Sequence, residues 1–186
     1  MFNIDVIENL KNGGVGVIPT DTLYGLVGRA DMKDTVGRIY KIKERSSEKP
    51  CIILISSLND LEKFNVKISD EIRKILEKYW PGQVSVVLPT DDNNFDYLTR
   101  GTGSLAFRLP DNKKFQELIK KTGPLIAPSA NPEGEEPART IELAKQYFND
   151  KVDFYIDGGE LKGDSSTLIK FENGKIVVLR KGVVSF

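Results

Sequence analysis

The sequence predicts an α/β domain built on a mixed sheet, and three observations carry that prediction. Short apolar runs of strand length alternate with longer amphipathic stretches along most of the chain. The pair Asn173-Gly174 sits between two apolar runs near the C-terminus, which is the strongest short-range signal for a hairpin. The 186 residues are 39% hydrophobic and 29% charged, an ordinary globular composition at the length of one domain, so residues 1–186 are read as a single domain.

Each element has its own signal. Phe2, Val6, Ile7 and Leu10 form a helical stripe that stops at Gly13-Gly14. Val15 to Ile18 reads as a short buried strand ended by Pro19. A helix is expected from Asp31 to about Lys43 through Val36, Ile39 and Tyr40, and a strand from Cys51 to Ile55. Ser69 stands where it caps the clearest helix, with Ile72, Ile75, Leu76 and Tyr79 on one face. Pro81-Gly82 ends that helix, and Val84 to Leu88 is the next strand. Leu105 and Phe107 alternate with Ser104, Ala106 and Arg108, the pattern of a half-buried strand with a polar face. There follow a helix from about Lys113 to Lys121, a strand over Leu125 to Ala127, a helix from near Thr140 to near Phe148 and a strand over Phe154 to Ile156. The strands Thr167 to Phe171 and Lys175 to Leu179 flank the hairpin turn.

Composition excludes several chemistries. There is no histidine, so no Ser-His-Asp or Cys-His nucleophile system and no histidine-based zinc site can be built. Cys51, the single cysteine, has no internal partner and lies in an apolar run, where it reads as a small core residue. Lys and Arg (27) balance Asp and Glu (27), which does not advertise non-specific nucleic-acid binding. No apolar run approaches the roughly 18 residues of a membrane span, and no signal peptide opens the chain. These features lead us to expect a cytoplasmic protein with no membrane contact. The phosphate-binding pattern G-x-x-x-x-G-K-[ST] is absent. Gly101 to Ala106 matches G-x-G-x-x-A loosely but enters a strand, whereas the dinucleotide fingerprint opens a helix.

Four stretches are candidates for chemistry. Pro19-Thr20-Asp21-Thr22-Leu23-Tyr24-Gly25-Leu26 leaves a strand carrying hydroxyls, a carboxylate and a phenol, which suits either a ligand loop or a self-satisfied turn. Lys43, Arg45 and Lys49 crowd three cations into seven residues. On extended chain Lys43 and Arg45 aim the same way, as a polyphosphate requires, although taken alone the run reads better as solvated charge, with Glu44 and Glu48 interleaved. Ala127-Pro128-Ser129-Ala130-Asn131-Pro132 holds small polar groups on stiff backbone, for recognition or for a structural turn. Ser104 and Arg108 share one strand face, where the guanidinium serves a ligand carboxylate or a salt bridge.

Taken in order, these pieces resemble the YrdC-type threonylcarbamoyl-AMP synthase family from near Gly13 to Val184. The resemblance rests on Pro19 to Leu26, Lys43-x-Arg45 with Lys49-Pro50, Trp80-Pro81-Gly82, and Arg108-Leu109-Pro110. Ala127 to Asn131, Ser166-Thr167 and Leu179 to Gly182 complete it. It implies a twisted mixed sheet flanked by helices around a deep, positively lined central cleft. It also implies an enzyme that forms threonylcarbamoyl-AMP and pyrophosphate from L-threonine, bicarbonate or carbon dioxide, and ATP, the ATP carrying Mg²⁺. The product serves the t6A37 modification of tRNA, with tRNA or other proteins of that pathway as further partners.

Residue by residue, the resemblance implies Lys43 and Arg45 as catalytic phosphate contacts. It gives Arg45, Lys49, Ser104, Ser129, Asn131 and Arg180 to ATP, and Thr22, Arg108 and Ser166 to L-threonine, with no protein metal site. As exposed cations, Lys43 and Arg45 are expected to matter little to folding. The chain departs from the family pattern at Leu54, where many relatives carry histidine, and at Pro137, where the family has serine. Two alternatives share the fold. One is a non-catalytic module binding nucleotide or double-stranded RNA, which calls for a basic surplus. The other is an enzyme that adenylates carbamate from carbamoyl phosphate, in long chains with zinc fingers, and one cysteine excludes a four-cysteine site.

Overall fold

The computed structural model describes residues 2–186. In chain order the elements are α1 (Ile4–Lys11), β1 (Gly16–Pro19), β2 (Tyr24–Arg29), α2 (Lys33–Lys43), β3 (Ile52–Leu54), α3 (Asp70–Tyr79) and β4 (Val84–Pro89). They continue with α4 (Asp96–Thr99), β5 (Ser104–Arg108), α5 (Lys113–Thr122), β6 (Leu125–Ile126), α6 (Ile141–Phe148), β7 (Phe154–Tyr155), β8 (Thr167–Glu172) and β9 (Lys175–Arg180). The helices start where side chains satisfy orphan backbone donors. Ser69 accepts from the Ile72 N–H, Asn112 from Phe115 and Thr140 from Leu143. Asn173 (φ 50°) and Gly174 (φ 73°) both take left-handed backbone, as the tight turn joining β8 and β9 requires.

The strands join in one twisted mixed sheet in the order β7-β1-β2-β6-β3-β5-β4-β8-β9. The pairs β1–β7, β3–β5 and β4–β8 are parallel and the others antiparallel. One face packs Leu26, Ile53, Phe107 and Ile169 against helical residues such as Val36, Ile39, Leu76 and Phe148. On the other face α1 and α5 cover Ile18, Val27, Leu54 and Leu125. Beyond those two helices the same face stays open, where Ile52, Ala106, Val87 and Leu168 line a cleft.

Two expectations change. Residues from Tyr24 onward do not belong to a loop leaving β1: Tyr24–Arg29 is β2, paired antiparallel with β1 from Pro19↔Tyr24 to Gly16↔Val27. Only Thr20 to Leu23 make the turn. The two glycines that weaken the strand signal have a packing reason, most plainly at Gly28, where an added Cβ would lie 2.4 Å from the Thr35 methyl. Strand β5 is not half-exposed either. Its polar face looks into the cleft, and Arg108 is 4% exposed.

Candidate active site

The cleft has a volume of about 550 Å³ and is floored by β3, β5, β4 and β8. Its walls come from the turn after β1, the end of α2 with the loop that follows, the segment after β6, and the β8–β9 hairpin. Of the residues singled out from sequence, Thr22, Lys43, Arg45, Ser104, Arg108, Ser129, Ser166 and Arg180 all line it. Positions far apart in the chain therefore meet because neighbouring strands of one sheet lay them along the same open face, from Ser104 at one end of β5 to Arg108 at the other.

Lys43 does not sit on extended chain. It is the last residue of α2, and Glu44 follows in left-handed conformation (φ 54°), which redirects the backbone before Arg45. Lys43 is 3% exposed. Its Nζ donates to the Ser129 carbonyl (2.8 Å), the Asn131 carbonyl (2.8 Å) and Asn131 Oδ1 (3.0 Å). Asn131 Oδ1 also accepts from Ser129 Oγ at 2.7 Å, and its Nδ2 donates to the Pro132 and Glu135 carbonyls. Asn131 thus lies behind the cleft wall and fixes Lys43 and Ser129. The expectation that Lys43 is an exposed cation is overturned by this burial. Burial and then the charge of Arg45 pull its ammonium down to about 8.

Arg45 donates from Nε to the Lys49 carbonyl (3.0 Å) and from Nη2 to the Pro50 carbonyl (3.0 Å), so the loop folds around its guanidinium. Lys49 points elsewhere: it is exposed and ion-paired with Glu133 outside the cleft. At the floor, Arg108 Nη1 meets Asp21 Oδ1 at 2.6 Å, both side chains nearly sealed from solvent. The Asp111 N–H bonds the other carboxylate oxygen, and Gln83 donates to the Asp21 carbonyl. Burial pushes the Asp21 carboxyl up, and Arg108 holds it back. Among the described residues Arg108 Nε has no hydrogen-bond partner. Arg180 reaches in from the hairpin and donates to the Ser166 carbonyl (2.9 Å) and Oγ (3.2 Å). Its guanidinium is pulled down by burial and then by the charges of Arg108 and Arg45.

Four cations, Lys43, Arg45, Arg108 and Arg180, therefore face one cavity. Among the described residues Asp21 is their only carboxylate partner within ion-pair distance. Such a concentration of uncompensated positive charge in a walled cavity is a site for a multiply charged anion. With this geometry in view, comparison with known proteins decides the family. The Sua5/YciO/YrdC family model, described as "Telomere recombination", matches residues 8–182. The chain belongs to the Sua5/YciO/YrdC family.

Relatives of this family agree in sequence and in shape. The threonylcarbamoyl-AMP synthase of Pyrococcus abyssi is 33% identical over 93% of this chain and 52% of its own length. That of Bacillus subtilis is 30% identical over 95% of this chain and 52% of its own. The chain thus spans about half the length of these two relatives. The structure of P. abyssi Sua5 complexed with L-threonine superposes with a TM-score of 0.89 at 32% identity, over 96% of this chain and 53% of that one. E. coli YciO superposes with a TM-score of 0.86 at 25% identity, over 97% of this chain and 89% of its own.

The two positions expected to depart from the family pattern also have places. Leu54 is fully buried under α1 and α5, and β3–β5 pairing sets it beside Arg108. Pro137 lines the cleft rim. The Trp80-Pro81-Gly82 motif is structural: buried Trp80 donates to the Val84 carbonyl at 2.6 Å and so starts β4. Sequence reasoning gave no role to Asp21 or Ser85. Asp21 stood in a quoted motif. Ser85 was visible as a lone hydroxyl in the apolar strand Val84 to Leu88.

Proposed function

We propose that this chain is a threonylcarbamoyl-AMP synthase, forming threonylcarbamoyl-AMP and pyrophosphate from L-threonine, bicarbonate and ATP for the t6A37 modification of tRNA. The observation that carries this reading is the convergence of Lys43, Arg45, Arg108 and Arg180 on one cavity with a single carboxylate partner. ATP brings about four negative charges, and a fixed cluster of cations is the complementary surface. The names of the relatives supply the amino acid and the reaction class.

In this reading L-threonine lies on the floor, its carboxylate toward the guanidinium of Arg108, with Thr22 and Ser166 on its polar groups. Its neutral amine bonds to the carbon dioxide that bicarbonate yields on losing hydroxide, and it sheds a proton, so that a carbamate and water result. A carbamate oxygen then attacks the α-phosphorus of ATP as the bond to the β-phosphate bridging oxygen breaks, and pyrophosphate leaves. Arg45, Ser104, Ser129 and Arg180 hold the nucleotide, and Lys43 places the Ser129 wall. The protein's contribution is position and fixed charge, which needs no histidine. Mg²⁺ enters as part of the nucleotide substrate. Asp21 is engaged by Arg108, so the nucleotide's own phosphate oxygens would hold the ion. We assign the protein to the cytoplasm, where tRNA is modified. A duplex-RNA module would carry its cations on an outward face, and here they point into a cavity.

The test is pyrophosphate release from MgATP with amino acids offered singly, with and without bicarbonate. Release should require bicarbonate. Valine should support it at least about tenfold less well than threonine, since a site built to bind a hydroxyl strands its polar groups when that hydroxyl is missing. Comparable rates with valine would sink threonine as the substrate.

A further inference from the structure

Ser85 lies on β4 beneath the cleft, with 0% of its surface exposed. The antiparallel register that pairs Val86 with Phe107 brings it across from Arg108, and the parallel register pairs it with Leu168 of β8, two residues past Ser166. Its hydroxyl therefore sits between two residues assigned to the amino acid without reaching the cavity itself. Its hydrogen-bond partner is Ser166 Oγ, at 2.8 Å, and among the described residues its side chain makes no other hydrogen bond.

The distance alone lets either oxygen donate, and the surroundings of the two hydroxyls decide the direction. A sealed hydroxyl hydrogen with no acceptor carries a full desolvation cost, and Ser166 Oγ is the acceptor available to Ser85. If Ser166 donated instead, the Ser85 hydrogen would be stranded. Ser166 Oγ also receives Nη2 of Arg180, a group that can only donate. Both lone pairs of Ser166 Oγ are then filled, by Ser85 and by Arg180. Its own O–H is left pointing to the cavity that Ser166 lines.

We infer that Ser85 is a positioning residue: it holds the Ser166 hydroxyl as an obligate hydrogen-bond donor and thereby orients the bound amino acid. This rests on the functional reading above and adds a polarity to it. A donor at Ser166 takes an acceptor oxygen of the substrate, a carboxylate or hydroxyl oxygen, and rejects the ammonium. The acceptor end of threonine is held on the floor, and its nitrogen faces the opposite wall, free to take up carbon dioxide.

The experiment is steady-state pyrophosphate release, with calorimetric threonine binding, for wild type, Ser85→Ala, Ser85→Thr, Ser166→Ala and the double variant Ser85→Ala/Ser166→Ala. Ser85→Ala should raise the KM and Kd for threonine about five- to tenfold, the size of one lost hydrogen bond. Its kcat should stay within about twofold, its KM for ATP should not move, and its melting temperature should stay within a few degrees. Ser85→Thr, which keeps the hydroxyl, should restore the threonine KM. In the Ser166→Ala background, removing the Ser85 hydroxyl should have no further effect on threonine. An unchanged threonine KM in Ser85→Ala, or an effect that persists without the Ser166 hydroxyl, overturns the inference while the wild-type reaction stands. Failure of wild type to release pyrophosphate with threonine overturns the functional reading, and this inference with it.

Discussion

Lys43 and Lys49 lie six residues apart in one basic run, and the fold treats them in opposite ways. Lys43 ends a helix, is 3% exposed and has its ammonium wrapped by three oxygens of the Ser129–Asn131 segment. Lys49 lies past the left-handed turn at Glu44, with 60% of its side chain in solvent and a carboxylate beside it. Sequence spacing treats them as equals because it counts charges. The structure separates them by what each would leave behind if removed. A cation that holds buried carbonyls is part of the wall, whereas one that meets an exposed carboxylate can be spared.

The largest effect should come from breaking that wall. Lys43→Met keeps most of the volume but strands the Ser129 and Asn131 acceptors. We expect a loss of about 2–3 kcal/mol in stability from those unsatisfied groups. Pyrophosphate release should fall about a hundredfold, since the Ser129 wall and a cation are lost together. Urea unfolding midpoints and steady-state rates measure the two separately. A variant that loses activity at unchanged stability would mean that Lys43 acts through its charge alone, and the contrast with Lys49 would dissolve.

The same lysine predicts a pH dependence of two opposite signs. Burial and the neighbouring Arg45 bring its ammonium down to about 8 from the ordinary 10.5. Between those values the unfolded chain binds the proton more tightly than the folded one, so this group's contribution to stability rises with pH. Phosphate binding moves the other way, because the folded site loses a positive charge as pH passes about 8. The KM for ATP should therefore climb above about pH 8 while the urea midpoint does not fall on this group's account. A KM for ATP that stays flat to pH 9.5 would show that Lys43 keeps its proton and that its three oxygens outweigh burial.

These contrasts show what was legible in the chain. Local rules with strong chemistry read directly: the Ser69 cap, the Asn173-Gly174 turn, and the alternation that put Ser104 and Arg108 on one face. The resemblance brought distant motifs to one cavity without describing their hydrogen bonds. Strand β2 was illegible because its two glycines carry the opposite local preference, and only close packing explains them, of Gly25 against Thr20 and of Gly28 against Thr35. The burial of Lys43 was illegible because it depends on a segment 86 residues away folding back over the helix end. The same holds for Asp21, whose partner Arg108 lies 87 residues on. Patterns of 2.0 and 3.6 residues say which way a side chain faces and nothing of what arrives to meet it.

The smallest effect should come from Lys49, and it tests the comparison most sharply. The family resemblance gives Lys49 to ATP, and the fold instead pairs it with Glu133, whose other oxygen accepts from the Ser46 N–H at 2.6 Å. That carboxyl is held below its ordinary value by the Lys49 hydrogen bond and then by the Ser46 N–H. An exposed pair of this kind adds little to folding and is weakened by salt. If Lys49 stays with Glu133 when nucleotide binds, Lys49→Ala should change the KM for ATP by less than about threefold, within the range of a screened surface charge. Its melting temperature should match wild type. If the loop instead swings on nucleotide binding and hands Lys49 to a phosphate, Lys49→Ala should cost about tenfold or more in that KM. Glu133→Gln should then lower the KM below wild type, because the competing carboxylate charge is gone. Both variants are measured in one titration of MgATP at saturating threonine, at low and at physiological salt. A tenfold loss in the first with a gain in the second would move Lys49 from the rim into the working site and leave Lys43 as its scaffold.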